Sequence, residues 1–370
     1  MENKKIVFIC GASETIINFR KNLILFLKNT NNDVYLIVGD EKRKKEIESL
    51  GVNYFCVDFS NRSFSILSKI KYQKKLKNII KKIKPDIVFT FQLTPNIFGV
   101  LASKQAHIEN IYSMVEGLGD PFQPKSFKDK IVEMVVCKMY KNSFKHIRMA
   151  FFLNSDDKEE FLRRKIISSQ KTFLINGIGI NTENIKADFS LPIQKKVVCL
   201  SRLLINKGVF DYCEMARFVK TIRNDIIFEL YGEEGQIKID DLREYIDDGS
   251  VFYGGYTTNP YDIIKKARII SSSSFREGFP VVILEAMAIG RPVIASDVIG
   301  NKDAVYNDVT GYLVPCHDIK SHGKKIIELI DDDEKIISFG KTARKICEEK
   351  YNSNIINKTI VDVIDSAYER

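Results

Sequence analysis

The chain has 370 residues, 44% of them apolar and 28% charged. This composition excludes a collagen-like chain, a disulfide scaffold and a wholly disordered protein, and at about 100–200 residues per domain the length suggests two or three domains. Charge is uneven: residues 1–190 hold 32 Lys and Arg against 20 Asp and Glu, and the remainder holds 25 against 28. A basic first half of net +12 calls for an anionic partner, whether nucleic acid, a phosphorylated lipid or a membrane surface.

The first residues run directly into the apolar Ile6–Cys10, a stretch too short for a signal peptide and suited to a β-strand. Candidate strands follow at Asp33–Val38, Tyr54–Val57, Asp86–Phe91, Ile111–Met114, Met149–Leu153 and Lys171–Leu174. Between them lie stretches of helical periodicity, such as Leu76, Ile79, Ile80 and Ile83. The longest uncharged stretch, 87–103, is broken by Gln92, Pro95 and Asn96, and falls short of the ~20 apolar residues a membrane helix needs. The polar segment 181–196 breaks the pattern, which restarts with strands at Lys196–Leu200, Ile226–Tyr231, Val251–Tyr253, Ile269–Ser272, Val293–Ala295 and Tyr312–Val314. Helices are expected from Val209, from Ile239, over Lys324–Ile330 and over Asn354–Tyr368. Near-continuous apolar strands alternating with helices mean parallel sheets covered on both faces. The fold class is therefore α/β, with two doubly wound units over 1–185 and 190–350. A last segment, 351–370, forms a helix that crosses back to the first unit. Seven cysteines, odd in number and without a Cys-x-x-Cys, fit a reduced, cytosolic compartment.

Open α/β sheets bind ligands beyond the carboxyl ends of their strands, so chemistry is sought in the loops there. Glu277-Gly278-Phe279-Pro280 follows a strand, and Pro280 suits the first turn of a helix whose free amides face an anion. Glu285 stands eight residues after Glu277, on a helix that is otherwise apolar, where a carboxylate needs a partner. Ser201-Arg202, then Lys207-Gly208, follow another strand, and two cations five residues apart make a candidate phosphate clamp. Gly232 and Tyr256 lie in two further post-strand loops, Gly11 follows the first strand, and Glu116 follows the fifth within Val115-Glu116-Gly117-Leu118-Gly119.

The Glu277–Glu285 spacing and the Ser201–Gly208 loop resemble the E-x7-E segment and the S-R-x4-K-G loop of family-4 retaining glycosyltransferases. The wording around Glu116 resembles bacterial members that add α-1,3-linked N-acetylgalactosamine to undecaprenyl-diphosphate-linked sugars. The resemblance implies a GT-B fold, two facing Rossmann-like domains, the first binding the acceptor and the second a UDP-sugar. It implies catalytic roles for Glu277, Arg202, Lys207 and Glu116. It places Gly11, Arg202, Lys207, Gly232, Tyr256, Glu277, Gly278, Phe279, Pro280 and Glu285 around the nucleotide sugar, with Glu277 on the transferred sugar and Glu285 on the ribose. Glu116 has two readings at this stage: a contact to the acceptor hydroxyl or donor sugar, or a loop cap held by backbone amides. In the family's usual G-x-x-E pattern this chain has Gly300-Asn301-Lys302-Asp303, with Asp for Glu. The resemblance implies no cofactor and no metal, since cations and a helix end serve the diphosphate. The run Asp331-Asp332-Asp333 then reads as a solvated turn.

The implied partners are a UDP-sugar, a lipid-diphosphate-linked saccharide and the anionic inner leaflet, with no nucleic acid. The implied location is cytoplasmic, peripheral to the cytoplasmic face of the inner membrane. Lys69, Lys71, Lys74, Lys75, Lys77, Lys81, Lys82 and Lys84 surround the Leu76–Ile83 stripe, which is read as core with lysines left to meet headgroups. A second segment, Phe122 to Arg148, mixes Phe127, Met134, Val135 and Tyr140 with lysines. Two alternatives remain: a sugar-nucleotide 2-epimerase of the same architecture, and a nucleic-acid-binding protein acting through the basic half. Asn61-Arg62-Ser63 matches a glycosylation acceptor and carries no weight in a cytosolic chain.

Overall fold

The structure, a computed structural model, describes residues 1–58, 66–122 and 126–368. The Asn61 acceptor sequence lies outside them. The chain divides into two units, Met1–Ile178 together with the helix Ser353–Tyr368, and Gly179–Asn352.

The first unit carries β1 (Lys5–Ile9), β2 (Asp33–Val38), β3 (Asn53–Cys56), β4 (Ile87–Phe91), β5 (Ile111–Val115), β6 (Met149–Phe152) and β7 (Thr172–Leu174). They pair in parallel in the order β3-β2-β1-β4-β5-β6-β7. The second carries β8 (Lys195–Leu200), β9 (Ile226–Tyr231), β10 (Phe252–Tyr253), β11 (Ile269–Ser272), β12 (Val293–Ser296) and β13 (Gly311–Val314), also parallel, in the order β10-β9-β8-β11-β12-β13. Every strand falls within one residue of its expected bounds. The winding reverses between β1 and β4 in the first sheet and between β8 and β11 in the second. Those two switch points are where such sheets receive ligands.

The central strands are buried throughout, as their unbroken apolar runs require: Phe8, Phe89 and Phe91 pack as a cluster of rings 4.6–5.8 Å apart. Against this sheet the helix Ile66–Ile83 buries Leu76, Ile80 and Ile83, with Val7 and Val88 in the same cluster. Its lysines at 71, 74, 75, 81 and 82 are exposed, and so is Lys84 just beyond it.

The expected break at 181–196 is not a loose connection. Arg291, fully buried, donates to the carbonyls of Asp188, Ser190 and Lys265. Arg344 donates to those of Thr182 and Ile185. Two guanidiniums therefore fasten this polar segment to the second unit and move the boundary forward to Ile178. The helix Ser353–Tyr368 joins the first unit through the N-terminal ammonium, 2.6 Å from Asp365, and through the Tyr112 hydroxyl and Arg148, which donate to Ile364 and Ala367 carbonyls.

Two expectations need correction. The helix from Ile239 opens as a 3-10 turn, Ile239–Leu242, and its α-helical part is only Arg243–Asp247. The Lys324–Ile330 stretch belongs to a longer helix, Ile319–Leu329, that starts where Asp318 accepts the Ser321 amide. That helix buries one face, with His322, Ile326 and Leu329, where a Cβ on Gly323 would come within 2.8 Å of Phe218, and leaves Lys320, Lys324 and Glu328 exposed on the other.

Candidate functional site

In the second unit the switch point gathers the loops after β8 and β11. The first leaves the sheet at Ser201, passes Arg202 and ends in the turn Ile205–Lys207. Gly208 then takes φ +63 and starts the helix Val209–Lys220. A Cβ on Gly208 would lie 1.9 Å from the Ser273 carbonyl oxygen, so the two loops touch there as bare backbone. The Phe275 amide also donates to the Asn206 carbonyl at 2.9 Å. This close approach brings Lys207 Nζ onto both Glu277 oxygens, at 2.5 and 2.7 Å. The Glu277 carboxylate is only 14% exposed, and its backbone amide is fixed on the Ile299 carbonyl.

Arg202 is exposed and has no partner among the described residues. It is thus a free guanidinium beside an internally neutralised pair. The helix Val281–Ile289 starts at the same place with Pro280 as N-cap, one residue outside the helix rather than in its first turn. Proline carries no amide, and no side chain caps this helix. The Val281 and Val282 amides therefore stay open at its positive end. Together a free guanidinium and the positive end of a helix make a candidate seat for an anion such as a diphosphate.

Glu285 lies on the second turn of that helix, half-buried, with no hydrogen-bond partner among the described residues. Burial pushes its carboxyl from the ordinary 4.5 up to about 7. The neighbouring Tyr261 hydroxyl is raised to about 12, first by burial and then by the Glu285 charge. A desolvated carboxyl with nothing to bond is a group awaiting a ligand donor.

The other expected residues divide. Gly232 packs on the Arg202 loop: its amide donates to Gly255, and a Cβ would sit 1.7 Å from the Ser201 carbonyl oxygen. Tyr256 is exposed beside it. Gly278 is half-buried in the loop itself. The Phe279 ring, expected at the nucleotide sugar, is instead buried 5.6 Å from the Tyr351 ring and serves packing. Asp303 offers its carbonyl to the Tyr351 hydroxyl at 2.9 Å. The Asp331–Asp333 run is exposed at a turn, as expected, but its carboxylates are engaged. Asp331 binds Lys195 and Arg223, Asp332 caps the helix Asp333–Lys350, and Asp333 binds Arg268.

In the first unit, Gly11 sits at the switch point, yet its amide already donates to Gln92 Oε1 at 2.9 Å. Gln92 reaches this position with φ +73, a strained conformation for a residue with a Cβ, and its amide nitrogen bonds Thr15. Glu116 is not a backbone-capped loop residue: one of its oxygens accepts from Arg20 Nη2. No local pattern in the sequence marks Arg20 or Gln92 as part of a site, because their partners lie 77 to 96 residues away.

Both halves of the chain match glycosyl transferase families. A family model for 4-like glycosyl transferases matches residues 5–151, and one for glycosyl transferases of group 1 matches 181–346. A Campylobacter jejuni N,N'-diacetylbacillosaminyl-diphospho-undecaprenol alpha-1,3-N-acetylgalactosaminyltransferase is 29% identical, with 98% of each chain covered. An Escherichia coli UDP-Gal:alpha-D-GlcNAc-diphosphoundecaprenol alpha-1,3-galactosyltransferase is 26% identical over 92% of this chain and 90% of the relative. The crystal structure of Anabaena HepE with UDP and glucose superposes with a TM-score of 0.82 at 15% identity, covering 98% of this chain and all of that one.

Proposed function

We propose that this chain, a glycosyltransferase with a 4-like first half, a group 1 second half and a GT-B fold, transfers a hexose or N-acetylhexosamine from a UDP-sugar to a lipid-diphosphate-linked saccharide in surface-glycan assembly. The observation that carries this reading is the seat formed by Arg202, the Lys207–Glu277 pair and the open amides of Val281 and Val282. It offers a diphosphate one free cation, a lysine held by Glu277 and a helix end, and an acceptor carboxylate, Glu285, stands in the same helix for a ribose hydroxyl. The acceptor class follows from the two diphosphoundecaprenol-linked relatives.

The chemistry proposed is transfer with retention and without a metal. The anomeric carbon–oxygen bond to UDP breaks while the acceptor oxygen bonds on the same face. The departing β-phosphate takes the acceptor proton. Arg202 and Lys207 neutralise the charge that grows on the diphosphate. Lys207 is held by Glu277 before the donor arrives, so its ammonium need not be immobilised afterwards.

Docking at an anionic membrane face belongs to the same reading. No helix among the described residues is long and apolar enough to cross a membrane. The helix Phe127–Phe144, however, exposes Phe127 (78%), Ile131, Met134 (70%) and Val135 on one face, and Lys138, Lys141 and Lys145 continue that face. Its carboxylates point elsewhere: Asp129 closes the capping box with Ser126, and Glu133 pairs with Arg164. An apolar stripe continued by lysines is the pattern of a helix lying in a lipid interface. The Lys71–Lys84 cluster adds charge that salt screens.

A panel of UDP-sugars with a short lipid-diphosphate saccharide, scored by product mass and anomeric linkage, tests the reading. A product of inverted linkage, or none with any donor, refutes it. UDP-sugar alone tests the epimerase alternative, for which no observation speaks, as none does for nucleic-acid binding. Sedimentation with anionic vesicles is expected to fall with salt and with a Phe127/Ile131/Met134→Ser variant. Unchanged binding would remove that helix from the membrane.

A further inference from the structure

The carboxyl end of the first sheet holds a charge pair that the mechanism above leaves unused. Arg20 is 2% exposed, with its guanidinium 4.7 Å over the Phe91 ring. Nη1 donates to the Phe19 carbonyl, Nη2 donates to Glu116 Oε1, and Nε has no partner. Glu116 follows β5 and keeps 20% of its side chain exposed. Its second oxygen, Oε2, accepts from nothing among the described residues. The next residue, Gly117, and Gly119 are both exposed and bring no side chain over it.

The grip is one-sided. A guanidinium can hold a carboxylate by both oxygens, but this one bonds a single oxygen and leaves the other without a donor among the described residues. The polar groups at neighbouring strand ends are already committed. Asp40, after β2, accepts from Ser13 and from the Lys42 amide. Gln92, after β4, uses both ends of its amide on Gly11 and Thr15. Asn154, after β6, accepts the Asp157 amide and donates to the Asp157 carboxylate. Cys10, after β1, is fully buried and its thiol is pushed up to about 12, chiefly by burial, so it stays neutral. Glu116 Oε2 is the open anionic acceptor among these groups.

We infer that Arg20 is a positioning residue that fixes Glu116 so that its free oxygen accepts a hydrogen bond from a hydroxyl of the acceptor saccharide. The inference rests on the proposed transfer to a saccharide. Arginine suits the task because it stays charged when buried and is steadied from above by an aromatic face. Saccharide hydroxyls are the matching chemistry: they donate to a carboxylate, and their orientation depends on its being held still.

The test is steady-state transfer to a lipid-diphosphate saccharide by wild type, Arg20→Met, Arg20→Lys, Glu116→Gln and the Arg20→Met/Glu116→Gln double variant. Each is also titrated with UDP by calorimetry and melted. Loss of a hydrogen bond to a charged group predicts about a tenfold or greater drop in kcat/KM for the acceptor in Glu116→Gln and in Arg20→Met. The double variant should lose no more than the worse single one, because Arg20 acts through Glu116. Arg20→Lys should recover a large part of the loss, and UDP affinity should be unchanged in all four. Wild-type acceptor kinetics in Glu116→Gln, or losses that multiply in the double variant, would overturn the inference. Should Arg20→Met not fold, Glu116→Gln and Arg20→Lys decide, because they keep the buried pair hydrogen-bonded. A wild type that transfers nothing defeats the proposed function itself, whereas an active wild type with indifferent variants defeats only the role of Arg20.

Discussion

Replacing Glu285 by Gln should strengthen the ligand-free fold and weaken the donor site at once. The carboxyl is raised from 4.5 to about 7 by burial, and no hydrogen bond compensates it. A group that holds its proton more tightly when folded contributes stability below its unfolded value and loses it as pH rises through its folded value. Each decade is worth 1.36 kcal/mol, so the ionised carboxylate costs the second unit about 3 kcal/mol above pH 7, and under about 1 kcal/mol at pH 5. Glutamine has no charge to desolvate and does not titrate. At about 2–4 °C per kcal/mol for a unit of this size, Glu285→Gln should melt up to about 6–12 °C above wild type at pH 8.5, with most of that gain absent at pH 5. UDP binding should move the other way, losing about tenfold or more, because a hydrogen bond from the ribose to a charged acceptor is worth about 1.5–3 kcal/mol. The ratio of wild-type to variant affinity for UDP should also rise with pH towards a plateau above pH 7, the titration of UDP's own phosphate at about pH 6 being common to both. Thermal melts at the two pH values and calorimetry with UDP measure both arms. A melting difference that is the same at pH 5 and 8.5 would refute the burial argument. Unchanged UDP affinity would remove Glu285 from the site.

Arg202→Ala should abolish most activity without moving the melting temperature, since the side chain is exposed and bonded to nothing among the described residues; a large drop in melting would show that it supports the fold instead. Lys207→Ala should cost both, because it strips the cation from a carboxylate that is 14% exposed; the cost to stability should be about 1–3 kcal/mol by denaturant titration. Gly208→Ala should lower melting and activity together, because a Cβ there would lie 1.9 Å from the Ser273 carbonyl oxygen at φ +63; a neutral result would mean the two loops can part. A chelator should leave turnover unchanged, and its abolition would overturn the metal-free chemistry.

What the sequence disclosed is what local pattern can carry. Central parallel strands buried on both faces, such as β1, β4 and β5, are almost uninterruptedly apolar and appear as runs, and the bounds of all thirteen strands hold within one residue. The Glu277–Glu285 spacing is likewise local, eight residues across one loop and two helical turns. The Phe127–Phe144 helix was only half legible, because it is apolar on two faces, one packed into the core through Tyr140 and Phe144 and one exposed. A helix apolar on both sides shows no clean period. The segment 181–196 was legible only as a polar break in the pattern, because its carbonyls are claimed by Arg291 and Arg344, about 100 and 160 residues further on. The same holds at the site. Lys207 and Glu277 were each legible, but their pairing across 70 residues was not, and Arg20 gained meaning only from Glu116, 96 residues away. Pattern identified the residues that a ligand would meet. The structure adds the partners that hold those residues in place, and such partners are separated from bystanders by paired substitutions, because a true partner's effect vanishes once the residue it holds is gone.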